Sequence, residues 1–175
     1  MLIVFTGNGK GKTTAALGQA ARMVGRGKRV LMIQWIKGPW KSGEDFIQIQ
    51  KRDGGGEFQL IKKGLGFVGI LGDTLPREEH ERAAQEAFEL AKKELASGEW
   101  DLLICDELNV ALSLNLLKLD EVLQWLKDIP KEKFVICTGR DAPQALIDAA
   151  HLVTEMKEIK HPFNDGKLAK IAIEF

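Results

Sequence analysis

Short apolar runs alternate along the chain with longer segments in which apolar residues recur every three or four positions. The short runs have the length of β-strands, and the longer segments have the period of amphipathic helices. The predicted strands are residues 2–5, 30–36, 58–61, 101–105, 134–137, 153–159 and 168–173. The predicted helices are residues 13–25, 76–96, 108–114, 119–127 and 143–150. Strands separated by helices favour an α/β fold with a mostly parallel sheet and helices on both faces. The Asn-Asp-Gly sequence at 164–166 favours a hairpin or wide loop between the last two strands.

Length and charge limit the classes of protein that need to be considered. The 175 residues are expected to form a single domain, 1–175, with one buried core. The 25 basic and 25 acidic residues cancel, so no global field attracts nucleic acid or anionic lipid. The longest apolar runs are of strand length and Met1 leads directly into a strand, so we expect no membrane span or signal peptide and a cytoplasmic protein. Cys105 and Cys137 lie inside apolar strand patterns and are predicted to be buried structural thiols.

A glycine-rich loop follows the first strand and leads into the first helix. The glycines at 7, 9 and 11 allow successive N–H groups to point into one concavity, to which the helix start adds positive potential. Lys12 supplies a mobile charge, and Thr13 takes the position of the magnesium-binding hydroxyl of a phosphate loop. The loop is therefore predicted to bind a nucleoside triphosphate, through the eight residues Gly7, Asn8, Gly9, Lys10, Gly11, Lys12, Thr13 and Thr14.

The loop departs from the pattern G-x-x-x-x-G-K-[ST] at its first position. Counting back from Gly11-Lys12-Thr13 places Thr6 where the first glycine is expected. A glycine-rich turn with a chance Gly-Lys-Thr is the plainer alternative, but the strand before it, the helix after it and the lysines within it argue against this. The displaced glycine indicates a loop that holds phosphates differently from a kinase or motor ATPase.

Two carboxylates, Asp106 and Glu107, follow the buried strand at 101–105. Beside a phosphate loop, carboxylates in this position bind Mg²⁺ directly or through water, so we expect Glu107 or Asp106 to act with Thr13 as ligands. The alternative is that Asp106 only caps the next helix. Lys12, Thr13 and Glu107 are the residues assigned to catalysis.

Two arginines and one aromatic residue are further candidates for ligand contacts. Arg140 ends a strand in a glycine-bearing turn, and Arg22 lies ten residues after Lys12 on the same helix. Either guanidinium could meet ATP, and surface arginine is the alternative for both. Arg22 is better placed for another part of the ligand or for a neighbouring subunit. Phe67 lies in the glycine-punctuated segment 64–72, which could line a large hydrophobic ligand or pack into the core.

Several motifs together resemble the P-loop type of cob(I)alamin (corrinoid) adenosyltransferase. They are TGNGKGKTTAA at 6–16, QWIKG at 34–38, Gly66-Phe67, CDEL at 105–108, TGR at 138–140, VTEM at 153–156 and KHPF at 160–163. The resemblance spans nearly the whole chain. It implies a three-layer, RecA-like fold of the P-loop NTPase class. It also implies transfer of the 5′-deoxyadenosyl group of ATP to cobalt(I) of a corrinoid, in adenosylcobalamin biosynthesis or salvage, with release of triphosphate.

The same resemblance implies a cofactor and partners. ATP and a reduced corrinoid are the substrates, Mg²⁺ is the metal, an electron donor reduces the cobalt, and the enzyme is a homodimer. In the family, ATP lies in the loop in the reverse direction to that in kinases, and Phe67 matches a residue that contacts the corrinoid. A tryptophan commonly stands two residues after that phenylalanine, where this chain has Gly69. Members also often carry a segment ahead of the loop that covers the site, so a more open site, or cover from a neighbouring subunit, is a further hypothesis.

Two other functions are compatible with a phosphate loop. A P-loop small-molecule kinase would need a base that orients the acceptor and an arginine-bearing lid, which the sequence does not locate. A nucleotide-dependent switch or assembly ATPase would release phosphate and act on a protein partner. Product analysis separates these from the adenosyltransferase, because only the latter yields triphosphate and a cobalt–carbon bond.

Overall fold

A computed structural model describes residues 1–38, 40–70, 72–166 and 168–173. Within these ranges the chain forms six strands and five α-helices. In chain order they are β1 (Leu2–Thr6), α1 (Lys12–Gly25), β2 (Arg29–Gln34), β3 (Glu57–Lys62), α2 (Arg77–Ala96), β4 (Leu102–Asp106), α3 (Leu108–Ser113), α4 (Leu119–Lys127), β5 (Phe134–Thr138), α5 (Gln144–Ala149) and β6 (Leu152–Glu155). Single 3₁₀ turns occur at Gly43–Phe46 and Pro162–Asp165.

The six strands form one sheet in the order β3-β2-β4-β5-β1-β6. Every neighbouring pair in this sheet is parallel. The predicted α/β fold is therefore confirmed. Parallel strands end at the same edge, so the segments that follow β1, β2, β4 and β5 meet there.

Helices cover both faces of the sheet and form three layers with it. On β1, Ile3 packs in a cluster with Ala16 and Ala20 of α1. Its neighbours Leu2 and Val4 face the other side and belong to a larger cluster with residues of the remaining four helices. This alternation follows from the two-residue period of a strand, and it is consistent with the P-loop NTPase-like fold predicted above. Cys105 and Cys137 are fully buried on β4 and β5, as predicted.

The predicted strand at 168–173 is wrong, because these residues form no strand in the structure. Leu168 and Ile171 are 88% and 82% exposed. The preceding strand ends at Glu155 instead of residue 159, and Asn164 and Asp165 lie in a 3₁₀ turn instead of a hairpin. An alternating apolar pattern is compatible with a strand, but a strand forms only where a neighbouring strand can hydrogen-bond to its backbone.

None of the helices in the described ranges is both long enough and apolar enough to cross a bilayer.

Candidate functional site

The segment between β1 and α1 has the backbone of a phosphate-binding loop. Gly7 and Gly11 adopt φ values of 96° and 120°, which strongly favour glycine. Lys12 is the first residue of α1 and Thr13 the second, so the loop ends at the positive end of a fourteen-residue helix. This arrangement is suited to binding the oxygens of a polyphosphate.

The side chain of Lys12 folds back into the loop. Its Nζ donates hydrogen bonds to the carbonyl oxygens of Gly7 and Gly9, at 2.8 and 2.7 Å. The residue is only 8% exposed. Burial lowers the pKa of Lys12, and the positive charge of Arg140 lowers it further, while Glu107 and Asp106 act in the opposite direction. The loop thus encloses the ammonium group of Lys12, which donates hydrogen bonds to the loop's own carbonyl oxygens.

Thr6, which replaces the first glycine of the pattern, fixes the loop to two other segments. Its hydroxyl accepts a hydrogen bond from the N–H of Ala142 at 3.2 Å, and its carbonyl accepts one from the N–H of Met156 at 2.8 Å. Ala142 lies between β5 and α5, and Met156 follows β6. The side chain that breaks the sequence pattern therefore has a structural role that glycine could not supply.

The loop lies directly against the backbone that follows β6. The N–H of Gly9 donates to the carbonyl of Met156 at 2.6 Å. A Cβ atom on Gly9 would lie 2.7 Å from that oxygen and 2.8 Å from the carbonyl oxygen of Lys157, and one on Gly7 would lie 2.5 Å from the Met156 oxygen. These distances exclude a side chain without movement of the backbone. Glycine is needed at position 9 for this contact.

Asp106, at the end of β4, is fully buried and accepts hydrogen bonds at both carboxylate oxygens. Thr13 and Thr138 donate their hydroxyl hydrogens to Oδ1, at 2.9 and 2.6 Å. Gln34 donates its Nε2–H to Oδ2 at 3.0 Å, and the Nζ of Lys37 lies 3.3 Å from the same oxygen. The structure thus brings Asp106 to Thr13, as the sequence predicts, and fixes the orientation of the carboxylate.

Lys37 and Glu44 form an ion pair beside Asp106 that the sequence analysis missed. The Nζ of Lys37 lies 2.5 Å from Oε1 of Glu44, which also accepts a hydrogen bond from Gln34. Burial alone would raise the pKa of Glu44, but the hydrogen bond and charge of Lys37 lower it to about 2. Burial would likewise lower the pKa of Lys37, but Asp106 and Glu44 raise it. The signal that could have located this pair is the position of Lys37 just after β2, which neighbours β4.

Glu107 adopts a left-handed backbone conformation, with φ 63°, directly after Asp106. Its N–H donates to the hydroxyl of Thr138 at 3.1 Å. Burial and the adjacent negative charge of Asp106 raise the pKa of Glu107 to about 7. A non-glycine residue in this conformation is uncommon and often marks a functional site. Burial is the largest cause of this raised pKa, and the positive charges of Lys37, Lys12 and Arg140 offset it only in part.

The oxygen atoms at this position fit a magnesium ion chemically. A threonine hydroxyl and two carboxylates, from Thr13, Asp106 and Glu107, are hard donors of the kind Mg²⁺ prefers. Both oxygens of Asp106 already accept hydrogen bonds, which favours contact through water, whereas the Glu107 carboxylate has no such set of donors in the described part of the chain. Those residues contain no cluster of three or more His, Cys, Asp or Glu side chains arranged for a metal. A magnesium ion here would therefore depend on phosphate and water oxygens for its remaining ligands.

The other predicted residues lie at different distances from this centre. Thr14 donates its hydroxyl to the carbonyl of Gly11, and Asn8 and Lys10 are exposed on the loop. Arg140 is exposed at the end of β5, and its charge affects the pKa values of both Lys12 and Glu107. Arg22 is exposed in the last turn of α1, about 15 Å along the helix from Lys12, so the structure does not bring it to the loop.

Phe67 lies in a separate loop, which follows β3. Its side chain is 44% exposed and packs against Trp40, with 5.7 Å between ring centroids. The segment 64–72 is thus partly solvent-facing. Ile70 in the same segment is 59% exposed, and Leu71 lies outside the described residues. This exposure agrees better with a ligand-lining loop than with the core-packing alternative.

Comparison with known proteins gives a consistent result across the whole chain. The family model described as ATP:corrinoid adenosyltransferase BtuR/CobO/CobP matches residues 1–175. The corrinoid adenosyltransferase of Escherichia coli (strain K12) is 40% identical over all of this chain and 85% of its own length. Corrinoid adenosyltransferase CobA of Salmonella typhimurium is 38% identical over the same shares, and the corrinoid adenosyltransferase of Pseudomonas aeruginosa is 37% identical over this whole chain and 83% of its own.

Proposed function

The chain belongs to the ATP:corrinoid adenosyltransferase family, and we propose that its phosphate loop binds the triphosphate of ATP as a leaving group. The reaction is transfer of the adenosyl group of ATP to a corrinoid, a step of cobalamin biosynthesis. The kinase and the switch ATPase are not favoured. In the reaction, the electron pair of cobalt(I) forms a bond to carbon 5′ of ATP. The bond from that carbon to the triphosphate oxygen breaks, and the oxygen keeps its electrons.

The nature of the nucleophile explains what the protein must provide. Cobalt(I) carries no proton, so the reaction needs no general base. It needs a fixed position for carbon 5′ and positive charge beside the triphosphate, on which negative charge grows as the bond breaks. The observation that carries the proposal is the enclosed ammonium group of Lys12, whose hydrogen bonds within the described residues go to the carbonyls of Gly7 and Gly9. Phosphate oxygens would be stronger acceptors for it than these carbonyls.

The roles of the remaining loop residues follow from their positions. The loop N–H groups and the positive end of α1 contact the phosphates, and Lys10 adds a second charge from the exposed side. Thr13, Asp106 and Glu107 would hold magnesium, whose charge stabilises the departing triphosphate when it is bound. Arg140 lies near enough to affect Lys12 and is proposed to contact ATP. For Arg22 we keep the alternative of contact with another part of the ligand or with a neighbouring subunit.

Other features of the proposal rest on the resemblance rather than on the site. Phe67 is proposed to contact the corrinoid, which agrees with its partial exposure. The enzyme is proposed to be a single-domain, cytoplasmic homodimer that receives electrons for cobalt reduction from a separate donor.

A direct test is anaerobic incubation of the protein with ATP, Mg²⁺ and chemically reduced corrinoid, followed by absorption spectroscopy. We expect the spectrum of a cobalt–carbon bond to form, and we expect the Lys12→Ala variant to form it at least a hundredfold more slowly. The Lys93→Ala variant, which removes a lysine from the far end of α2, is the control and should retain wild-type activity. Failure of the wild type to form the bond, with ATP hydrolysed to phosphate, would overturn the proposed function.

A further inference from the structure

The two tryptophans that flank Lys37 have opposite environments. Trp35 is 2% exposed, and its Nε1–H donates to the carbonyl of Ala84 at 3.2 Å. It belongs to the core between the sheet and α2. Trp40 is 60% exposed. A large aromatic side chain that is mostly exposed is not explained by packing within the core.

The exposed Trp40 ring packs against Phe67 from the loop after β3. The ring centroids are 5.7 Å apart and the planes are inclined by 36°. Phe67 is the one aromatic residue in segment 64–72, so its ring partner comes from the other loop. We call Trp40 and Phe67 the aromatic pair. Both rings retain large exposed areas, so the pair presents an apolar surface to solvent.

Close backbone contacts hold the aromatic pair in place. The N–H of Gly66 donates to the carbonyl of Ile36 at 3.0 Å. A Cβ atom on Gly38 would lie 2.8 Å from the Cα of Gly66, and one on Gly66 would lie 3.0 Å from the Trp40 ring. Gly66 also has a φ of 115°. The two loops can therefore meet only because glycine is present at both positions, and this contact sets the Trp40 ring against Phe67.

The aromatic pair lies beside the edge of the sheet that carries the phosphate loop and Asp106. Lys37, whose Nζ is 3.3 Å from Asp106, is three residues before Trp40. Three residues of extended chain span at most about 11 Å, so the Cα atom of Trp40 lies no farther than this from the Cα atom of Lys37. Transfer of the adenosyl group requires cobalt to reach carbon 5′ of an ATP molecule bound at this edge, so the corrinoid must lie against the protein surface next to it.

We propose that Trp40 is a corrinoid-binding residue that forms, with Phe67, one continuous aromatic surface against the flat macrocycle. The proposal rests on the proposed function, since it uses the positions of both substrates. Burial of an exposed indole against an apolar ring system is favourable, and an ordered pair loses little conformational entropy when it binds. Trp40 takes no part in bond making. Its contribution is to affinity for the corrinoid and to its placement.

The test compares three variants with the wild type, with corrinoid and ATP binding measured separately. Trp40→Ala removes the ring, and Trp40→Phe retains a smaller one. Phe46→Ala is the matched control, because Phe46 is 72% exposed in the same connection and its ring contacts Lys41 instead. Corrinoid dissociation constants are measured by equilibrium dialysis against cobalamin, and ATP dissociation constants by calorimetry.

We expect Trp40→Ala to weaken cobalamin binding about tenfold, equivalent to about 1.4 kcal/mol, with ATP affinity within twofold of the wild type. Trp40→Phe should stay within threefold, and Phe46→Ala should be unchanged. The inference is overturned if Trp40→Ala binds cobalamin as the wild type does, or if it loses ATP affinity instead, which would assign the ring to the adenine. An equal loss in Phe46→Ala would also overturn it.

Two controls separate these outcomes from other failures. Urea unfolding of each variant identifies any that does not fold. If Trp40→Ala does not fold, a fourth variant, Trp40→Leu, replaces it and should show the same tenfold loss of cobalamin affinity, while Trp40→Phe stays within threefold. The proposed function fails separately, if the wild type forms no adenosylated corrinoid. A wild type that is active beside a Trp40→Ala variant with normal corrinoid affinity overturns only the inference about Trp40.

Discussion

At the scale of single residues, Asp106 is the side chain that joins the phosphate loop to the rest of the site. Thr13 and Thr138 donate to one of its oxygens, and Gln34 and Lys37 contact the other. A carboxylate can accept at both oxygens, whereas an asparagine cannot accept at its nitrogen. The charge and the acceptor capacity of Asp106 are therefore both in use.

The first prediction concerns the loss of this carboxylate. Asp106→Asn keeps the size of the side chain, but it places an NH₂ donor opposite groups that themselves donate, and it removes one of the two carboxylate partners of the partly buried Lys37. We expect kcat/KM for ATP to fall about a hundredfold, which corresponds to about 2.7 kcal/mol. Steady-state assays in excess corrinoid measure it. Asp120→Asn, at the exposed start of α4, is the control and should behave as the wild type. A fall smaller than threefold in Asp106→Asn would contradict the assigned role.

The second prediction concerns pH and Glu107. The pKa of Glu107 is about 7 in the folded chain, against an ordinary value of 4.5. The folded state therefore binds more protons than the unfolded state between these values, and the free energy of unfolding falls as pH rises through this window. The loss is at most about 3 kcal/mol. Since glutamine does not titrate, Glu107→Gln should be more stable than the wild type at pH 8 and equally stable near pH 4.5.

Urea unfolding at several pH values, in buffer with a metal chelator, measures this difference. Mg²⁺ with ATP should reverse it, because a bound cation favours the charged carboxylate. If the difference in unfolding free energy between the wild type and Glu107→Gln did not change with pH, ionisation of Glu107 would not destabilise the folded chain, and this prediction would be wrong.

The residues found from sequence differ from those missed in whether a local sequence pattern marks them. Thr13 and Asp106 were located because a phosphate loop and a carboxylate after a buried strand have recognisable local patterns. Lys37 and Glu44 have no such pattern. Their ion pair matters only because β2 lies beside β4 in the sheet, and the order of strands cannot be read from chain order.

At the scale of elements, the phosphate loop depends on the segment that follows β6. The N–H of Gly9 bonds to Met156, and no side chain fits between them. Gly18 lies exposed in the middle of α1, and a Cβ there would meet nothing within 4 Å. A side chain is therefore excluded at position 9 by the neighbouring backbone but can be accommodated at position 18.

The third prediction uses this difference. Gly9→Ala should push the loop away from Met156, lower the free energy of unfolding by about 1–3 kcal/mol, and weaken ATP binding. Gly18→Ala should raise it by up to about 1 kcal/mol, since alanine favours a helix, and leave ATP binding unchanged. Urea unfolding and calorimetry measure both effects. If Gly9→Ala and Gly18→Ala had the same stability and ATP affinity, the close contact between Gly9 and Met156 would contribute to neither property.

The C-terminal segment shows the limit of element prediction. The alternating residues at 168–173 have the pattern of a strand, yet Ile171 is 82% exposed and no strand forms there. By contrast, the runs that became β1, β4 and β5 are apolar on both faces, which indicates burial between two layers of helices. Continuous apolar runs identified strands more reliably here than alternation did.

At the scale of the whole molecule, the balance of charge means that attraction for ATP is local. Alternation of strands and helices was enough to predict a parallel α/β sheet, but not the order β3-β2-β4-β5-β1-β6 that brings the ends of β1, β2, β4, β5 and β6 to the site. Several apolar side chains also remain exposed after β6, including Ile159 at 91% and Leu168 at 88%.

The fourth prediction is that the protein is a dimer in solution. The resemblance implies a homodimer, and the exposed apolar residues after β6 are of the kind that subunit contacts cover. Sedimentation equilibrium at micromolar concentration should give twice the chain mass of 19.4 kDa. A mass equal to one chain across this concentration range would contradict the prediction.

The proposed reaction requires that triphosphate leaves as one unit while the adenosyl group moves to cobalt. It is tested most directly with ATP that carries one radioactive label in the adenosine and another in the γ-phosphate, incubated anaerobically with Mg²⁺ and reduced corrinoid. We predict that the adenosine label appears in the corrinoid and the phosphate label in inorganic triphosphate, in equal amounts. Recovery of the γ-phosphate label in an acceptor or in free phosphate, with no adenosine label on the corrinoid, would contradict the account.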